Sequence, residues 1–193
     1  MSTAPQGKLT AAEYLEIERS SEFRHEFYQG EMFAMTGASR EHNLICGNIL
    51  RHIHAQFDGR PCEVYQSDMR VRVNAADMYT YPDVVATCGE PQLEDNQFDT
   101  LLNPLAIVEV LSDSTEAYDR GTKFTHYRSI ESLRDYVLVA QNMVRVERYS
   151  RTGDGQWLLW STDQLDDRLE LPSVECQVTV SDIYARIKFE QDK

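Results

Sequence analysis

Apolar positions along this chain follow two rhythms. Across residues 39–57, Leu44, Ile45, Ile49, Ile53 and Phe57 return to one face at helical spacing, and the stretch closes at Asp58-Gly59 with Pro61 beyond it. A second, shorter helix is expected over residues 11–18, where Thr10 can cap and Glu13 can return the bond as a capping box. Elsewhere the rhythm is that of strands. Phe23, His25 and Phe27 alternate, Gln29-Gly30 turns, and residues 31–35 run back, which predicts a β-hairpin. Further strands are expected over residues 62–66, 69–73, 83–88, 103–111, 134–140, 143–151, 157–162 and 177–180. Residues 89–103 read as a polar connection, residues 112–115 as a turn, residues 119–130 as a helix, and Ser181 as the cap of a last short helix over 182–187. Helices are too few for a doubly wound sheet. The expected fold class is α/β of the mixed α+β kind, a central mixed sheet flanked by helices, in a single domain spanning residues 1–193 with residues 1–8 and 189–193 frayed.

One residue breaks the apolar pattern where it is strongest. In "NPLAIVEVLSDST", Ile107, Val108, Val110 and Leu111 suit a strand buried on both faces, yet Glu109 sits at its centre. A buried carboxylate needs a partner, a cation or a shifted pKa. The preceding strand opens with Pro82-Asp83, and the loop-like run between allows the two strands to be neighbours. Two carboxylates at similar height on adjacent strands repel when both are ionised, and a divalent cation removes the conflict. A metal-free acid/base pair of the kind used by glycosidases needs the same two groups, so spacing alone leaves both readings open. Asp119, Lys123 and Tyr127 fall four apart on one helical face, which can carry an ammonium over the end of the strand or can be an ordinary surface pair. His42 stands near the start of the long helix, where it can contact phosphate, support a site or simply pack. Trp157 and Trp160 read as core or interface residues and offer no base-stacking platform.

Composition narrows the field. The formal net charge is −13, which counts against tight non-specific binding to nucleic acid through Lys and Arg but leaves cation bridging to phosphate open. No apolar run is long enough to span a membrane and residues 1–8 lack the apolar core of a secretory signal, so a cytoplasmic protein without membrane contact is expected. The four cysteines, Cys46, Cys62, Cys88 and Cys176, form no CxxC pair and fit reduced thiols better than a disulfide frame or a zinc site.

"LTAAEYLEIERSSEFRHEFYQGEMFAM", "SREHNLICGNIL", "YPDVVATC", "IVEVLSDSTEAYDRGTKFTHYRSI" and "LRDYVLVA" together resemble the Uma2 family of restriction-endonuclease-like proteins, over residues 9–187. Pro82-Asp83 followed by Glu109-Val110-Leu111 is similar to the PD-(D/E)XK nuclease pattern, with leucine where that pattern has lysine. The resemblance implies a restriction-endonuclease-like fold and hydrolysis of phosphodiester bonds in DNA with Mg²⁺ or Mn²⁺. It implies Asp83 and Glu109 as catalytic metal ligands, with Glu26 or Glu31 completing the metal site, Lys123 as the migrated catalytic lysine, and His42 and Tyr127 in support. A homodimer suits cleavage of both strands. The alternative is a catalytically inactive binding module on the same fold.

Overall fold

The computed structural model describes residues 7–189; of the ends expected to fray, 1–8 and 189–193, residues 1–6 and 190–193 lie outside it, while Phe189 packs against Tyr184 at the core rather than fraying. The architecture is mixed α+β, as the pattern predicts. Helix α1 (Ala11–Ser20) starts with the expected Thr10–Glu13 capping box. The hairpin is β1 (His25–Tyr28) and β2 (Glu31–Ala34), turned through Gln29 and Gly30, both at positive φ. The long helix α2 (Arg40–Gln56) is capped by Ser39, which accepts from the His42 N–H. Strands β3 (Cys62–Gln66), β4 (Arg70–Val73), β5 (Met78–Thr80), β6 (Val84–Cys88), β7 (Thr100–Leu101) and β8 (Ala106–Leu111) follow. Then α3 (Glu116–Tyr118) runs through a π-turn (Asp119–Lys123) into α4 (Phe124–Tyr127). The remaining elements are β9 (Asp135–Ala140), β10 (Val146–Arg151), β11 (Trp157–Thr162), β12 (Arg168–Leu171), β13 (Cys176–Thr179) and α5 (Val180–Ile183).

The central sheet has six strands in the order β11-β10-β9-β8-β6-β3, parallel only between β8 and β9. A five-stranded sheet, β2-β1-β5-β4-β7, and the β12-β13 hairpin complete the strands. Strand β8 is buried along its whole length because both of its faces are covered. On one face Val108 and Val110 join Val84, Val137 and Val139 beneath Ile45, Ile49 and Ile53 of α2. On the other, Ile107 and Leu111 pack with Val85, Tyr136, Leu138, Tyr127 and Val71. Burying branched side chains of this size stabilises a fold by roughly 1.5–3 kcal/mol each, so the long helix and the second sheet both anchor on β8.

Several expectations need correction. The connection at residues 89–103 contains β7, which pairs parallel with β4. The helix expected over 119–130 starts earlier, at Glu116, is interrupted by the π-turn and ends at Tyr127. The last helix is not capped by Ser181. Thr179 precedes it, and it stops at Ile183, where the Tyr184 hydroxyl is held by the carbonyls of Ala140 and Arg145.

The reading of all four cysteines as reduced thiols is also overturned. Cys62 and Cys88 form a disulfide. The antiparallel register of β3 with β6 sets these two residues opposite each other, an adjacency that sequence spacing does not display. The bridge ties the edge strand to its neighbour and closes a loop of separation 26. Loop-closure entropy for a chain of that length corresponds to about 3.5 kcal/mol. The Cys62→Ser/Cys88→Ser double variant is expected to lose stability of that order, seen as a lower urea midpoint with a steeper slope, because the unbridged chain unfolds to a more expanded state; an unchanged midpoint would show that the bridge adds nothing.

Candidate metal centre

The register that pairs Val84 with Val108 and Val85 with Ile107 sets Asp83, one step on, against Glu109. Proline fixes the approach to this corner: Pro82 cannot donate to a ladder, so the strand begins only at Val84 and Asp83 is left at its mouth. Its Oδ2 accepts the Val110 N–H at 2.7 Å and lies 3.2 Å from His42 Nε2. Asp83 is thus pinned by β8 on one side and the start of α2 on the other.

Glu109 lies deeper, with 4% of its surface exposed. Its Oε1 accepts from the Tyr127 hydroxyl at 2.9 Å and lies 3.0 Å from Lys123 Nζ. The ammonium also lies 3.1 Å from Glu26 Oε1 and 3.7 Å from Asp119 Oδ1. The π-turn contributes to this geometry: a wider turn is a common device at functional sites, and here Asp119 and Lys123 are both turned inward and buried. Glu26 is held by a hydrogen bond from the Thr80 hydroxyl, which in turn meets the Tyr127 hydroxyl at 3.2 Å. The hairpin, β5, β8 and the α3–α4 segment therefore converge on one ammonium.

These groups line a cleft of about 690 Å³ that also touches Asn43, Cys46, Ser112, Thr115, Tyr118 and Gln141. Its walls carry Glu26, Asp83, Glu109 and Asp119 against Lys123 and His42. A larger groove, about 990 Å³, lies along α2 and β3 between Leu50, Arg51, Val64 and Phe98. It contains none of the converging carboxylates, so the chemistry belongs to the smaller cleft.

The electrostatics follow from burial. Burial pushes the Glu109 carboxyl up to about 8; Lys123 pulls it back, while Asp119 and Asp83 add to the rise. Asp119 is also raised, by burial first and against the pull of Lys123. Burial alone would lower the Lys123 ammonium, but Glu109, Glu26 and Asp119 hold it well above its ordinary value. Burial likewise raises the Tyr127 phenol, with Glu109 and Glu26 adding to it, so Tyr127 donates and stays neutral. The cluster holds more carboxylate than one ammonium balances, and it relieves the excess by retaining a proton.

A pH dependence results, and its sign is fixed. An acid whose folded pKa is raised binds its proton more tightly folded than unfolded, so its contribution to stability is present at low pH and lost as pH rises. For Glu109 that window runs from the ordinary 4.5 to about 8. A divalent cation competes with the same proton. Mn²⁺ affinity, measured by calorimetry, is therefore expected to tighten close to tenfold per pH unit below about 8 and to level off above it. A flat profile would show that Glu109 does not take part.

Of the residues singled out in the sequence, Asp83, Glu109, Lys123, Glu26 and His42 all line this cleft, and Tyr127 lies buried behind it, donating to Glu109. Glu31 does not line it. It is exposed at the turn end of β2, paired opposite Tyr28. Asp119 belongs to the site as fully as its helical neighbours, and Cys46, one turn after His42, points to the same place. Leu111, at the position where the resembled pattern has lysine, is 3% exposed and packs among Val85, Tyr127 and Tyr136.

Residues 11–181 match the Uma2 family, described as "Putative restriction endonuclease". Two uncharacterized proteins of Synechocystis sp. are similar in sequence. One is 38% identical over 187 residues, 97% of each chain. The other is 40% identical over 163 residues, 84% of this chain and 91% of the relative. In fold, the chain is similar to the crystal structure of "a putative nuclease belonging to DUF820" from Anabaena variabilis, with TM-score 0.75, 16% identity, and 92% of this chain and 98% of that one covered. With its nuclease-like fold, and with a match to the family that covers most of its length, this chain belongs to the Uma2 family of restriction-endonuclease-like proteins.

Proposed function

We propose that this protein is a metal-dependent endonuclease that hydrolyses phosphodiester bonds in DNA. The observation that carries the reading is the opposition of Asp83 and Glu109 across β6 and β8, with the buried Lys123 ammonium 3.0 Å from Glu109. The donor set suits Mg²⁺ or Mn²⁺: hard carboxylate oxygens in an over-acidic cleft, with space for water and phosphate. Asp83 and Glu109 would hold the ion, and Glu26 would complete its site. Such a cation supplies Lewis acidity to the phosphoryl group and lowers the pKa of water.

The chain's own residues supply position and charge. Lys123 presents a permanent positive charge to the cleft, where it orients the attacking water or takes up negative charge growing on the phosphoryl oxygens. Tyr127 and the Val110 N–H fix the two ligand carboxylates from behind, which leaves less reorganisation for the reaction itself. The leaving 3′-oxygen takes its proton from solvent. Lys123 stands in for the lysine that the motif would carry at position 111, since the face occupied by Leu111 is core.

A homodimer fits cleavage of both strands. Strand β11 is an open edge of the central sheet and exposes Leu158 and Leu159, which gives a second copy a surface to pair with.

The reading is tested by incubating supercoiled plasmid and single-stranded DNA with the wild type and Asp83→Ala, with Mg²⁺, Mn²⁺ or chelator. Cleavage should require the ion and vanish in the variant. Equal traces for wild type and variant would remove the proposal.

A further inference from the structure

His42 and Cys46 are one turn apart on α2, and their side chains lean toward the same strand end. His42 Nδ1 lies 3.5 Å from Cys46 Sγ, and His42 Nε2 lies 3.2 Å from Asp83 Oδ2. One ligand atom from each of the three residues lies within 4.8 Å of the other two. All three are half-buried at the wall of the cleft. Their supports are rigid: α2 is seated on the sheet through Ile45, Ile49 and Ile53, His42 starts at the Ser39 cap, and Asp83 is bonded to the β8 backbone.

We propose that His42, Cys46 and Asp83 form a second cation site, selective for a thiophilic ion of the Zn²⁺ class and distinct in its donors from the carboxylate pair. Zinc binds sulfur at about 2.3 Å and nitrogen or oxygen at about 2.0–2.2 Å, which places tetrahedral ligands roughly 3.3–3.6 Å apart. The two short spacings use opposite ring nitrogens of His42, whereas one ion takes a single nitrogen; with one ligand atom from each residue the three lie within 4.8 Å of one another, so seating the ion requires the His42 ring to turn and the three ligand atoms to draw in to tetrahedral spacing. A neutral imidazole, a thiolate and a carboxylate balance the charge of a divalent ion. Three protein ligands leave the fourth position open to the cleft, the pattern of a zinc that can bind water or an incoming anion. A thiolate donor selects against Mg²⁺, which takes oxygen.

The site is independent of phosphodiester chemistry, but it shares Asp83 with the carboxylate pair. Zinc seated on His42, Cys46 and Asp83 withdraws that carboxylate from a Mg²⁺ held with Glu109. Micromolar Zn²⁺ is therefore expected to inhibit any Mg²⁺-dependent activity of the protein.

Cobalt is the direct probe, since a Co²⁺–thiolate bond gives near-ultraviolet charge-transfer absorption and a tetrahedral ion gives visible bands. One equivalent of Co²⁺ added to the disulfide-intact protein should produce both. The charge-transfer band should be lost in Cys46→Ser and kept in Cys176→Ser and Glu109→Gln. Zinc affinity should fall at least roughly 100-fold in His42→Gln. No band in the wild type, or a band that survives Cys46→Ser, would overturn the site. Should Cys46→Ser fail to fold, alkylation of the wild type decides: saturating Zn²⁺ should slow labelling of Cys46 at least tenfold, and an unchanged rate would overturn the site. None of these readouts requires cleavage, so a protein that cuts nothing can still show the band, and a nuclease can fail to show it.

Discussion

Glu109→Gln is expected to abolish metal-stimulated cleavage while leaving the metal-free protein nearly as stable as the wild type. The two side chains have the same shape. A glutamine oxygen can still accept from the Tyr127 hydroxyl and from Lys123, which hold Glu109 at 2.9 and 3.0 Å. What disappears is the ability to become an anion. Below about 8 the metal-free protein already holds this carboxyl in its neutral form, because burial has raised it. Near pH 6.5 the change in folding stability should stay within about 1 kcal/mol, since a neutral amide replaces a neutral acid. Cleavage should fall on the order of 10³-fold or more, because the lost charge is one that a cation requires at the moment of reaction. The rise in thermal midpoint that Mn²⁺ gives the wild type should shrink with it. Thermal scans with and without Mn²⁺, run beside a plasmid assay, read all three quantities. Retained cleavage, or unfolding of the variant without metal, would contradict this role.

Lys123→Met should behave in the opposite way and lose stability together with activity. The ammonium is 6% exposed and lies 3.1 Å from Glu26, 3.0 Å from Glu109 and 3.7 Å from Asp119. Removing the one cation among buried carboxylates leaves uncompensated charge, at a cost of about 3–5 kcal/mol for a buried pair. The loss should be smaller at low pH, where the carboxyls neutralise one another's absence of a partner by taking up protons, and saturating Mg²⁺ should restore part of it. Cleavage should fall on the order of 10²–10³-fold, the usual consequence of losing one preorganised donor at a charged transition state. Lys123→Arg should recover stability better than rate, because a planar fork is a poor substitute for a point charge fitted between three acceptors. Urea midpoints at pH 5 and 7.5, with and without Mg²⁺, measure the first effect. A midpoint equal to the wild type at pH 7.5 would mean that the buried cluster does not depend on its cation.

Much of this arrangement was legible in the residues. The helical face from Ile45 to Phe57 and the turn at Gln29-Gly30 are local signals, and local hydrogen bonds and one buried face decide them. The neighbourhood of β6 and β8 was also visible, since two apolar strands around a polar connection pair readily. Glu109 announced itself because a charge in a doubly covered strand needs a reason. The spacing of Asp119, Lys123 and Tyr127 held even though the helix opened into a π-turn, since all three still turn inward.

What escaped was long-range. Strand β7 is two residues long and is held by its parallel partner β4 and by a single antiparallel bridge from Leu93 to Leu101, so no repeating pattern marks it. Cys62 and Cys88 meet through strand register, which distance along the chain conceals. Cys46 carries the same lesson: its helical step from His42 is visible, but the third partner, Asp83, arrives from a different element. The resemblance puts Glu26 first as the third metal ligand and leaves Glu31 as its alternative and possible support. The packing of the hairpin against β5 decides between them, because it brings Glu26 to Thr80 and Lys123 and leaves Glu31 at the exposed turn.

The measurement that bears most directly on the carboxylate pair is a Mn²⁺ soak of crystals of the protein, read by anomalous scattering. The expected result is a peak within coordination distance of both Asp83 and Glu109, absent from crystals of Glu109→Gln. No peak there, or a Mn²⁺ peak confined to His42, Cys46 and Asp83, would contradict the assignment of these two carboxylates as the nuclease metal site.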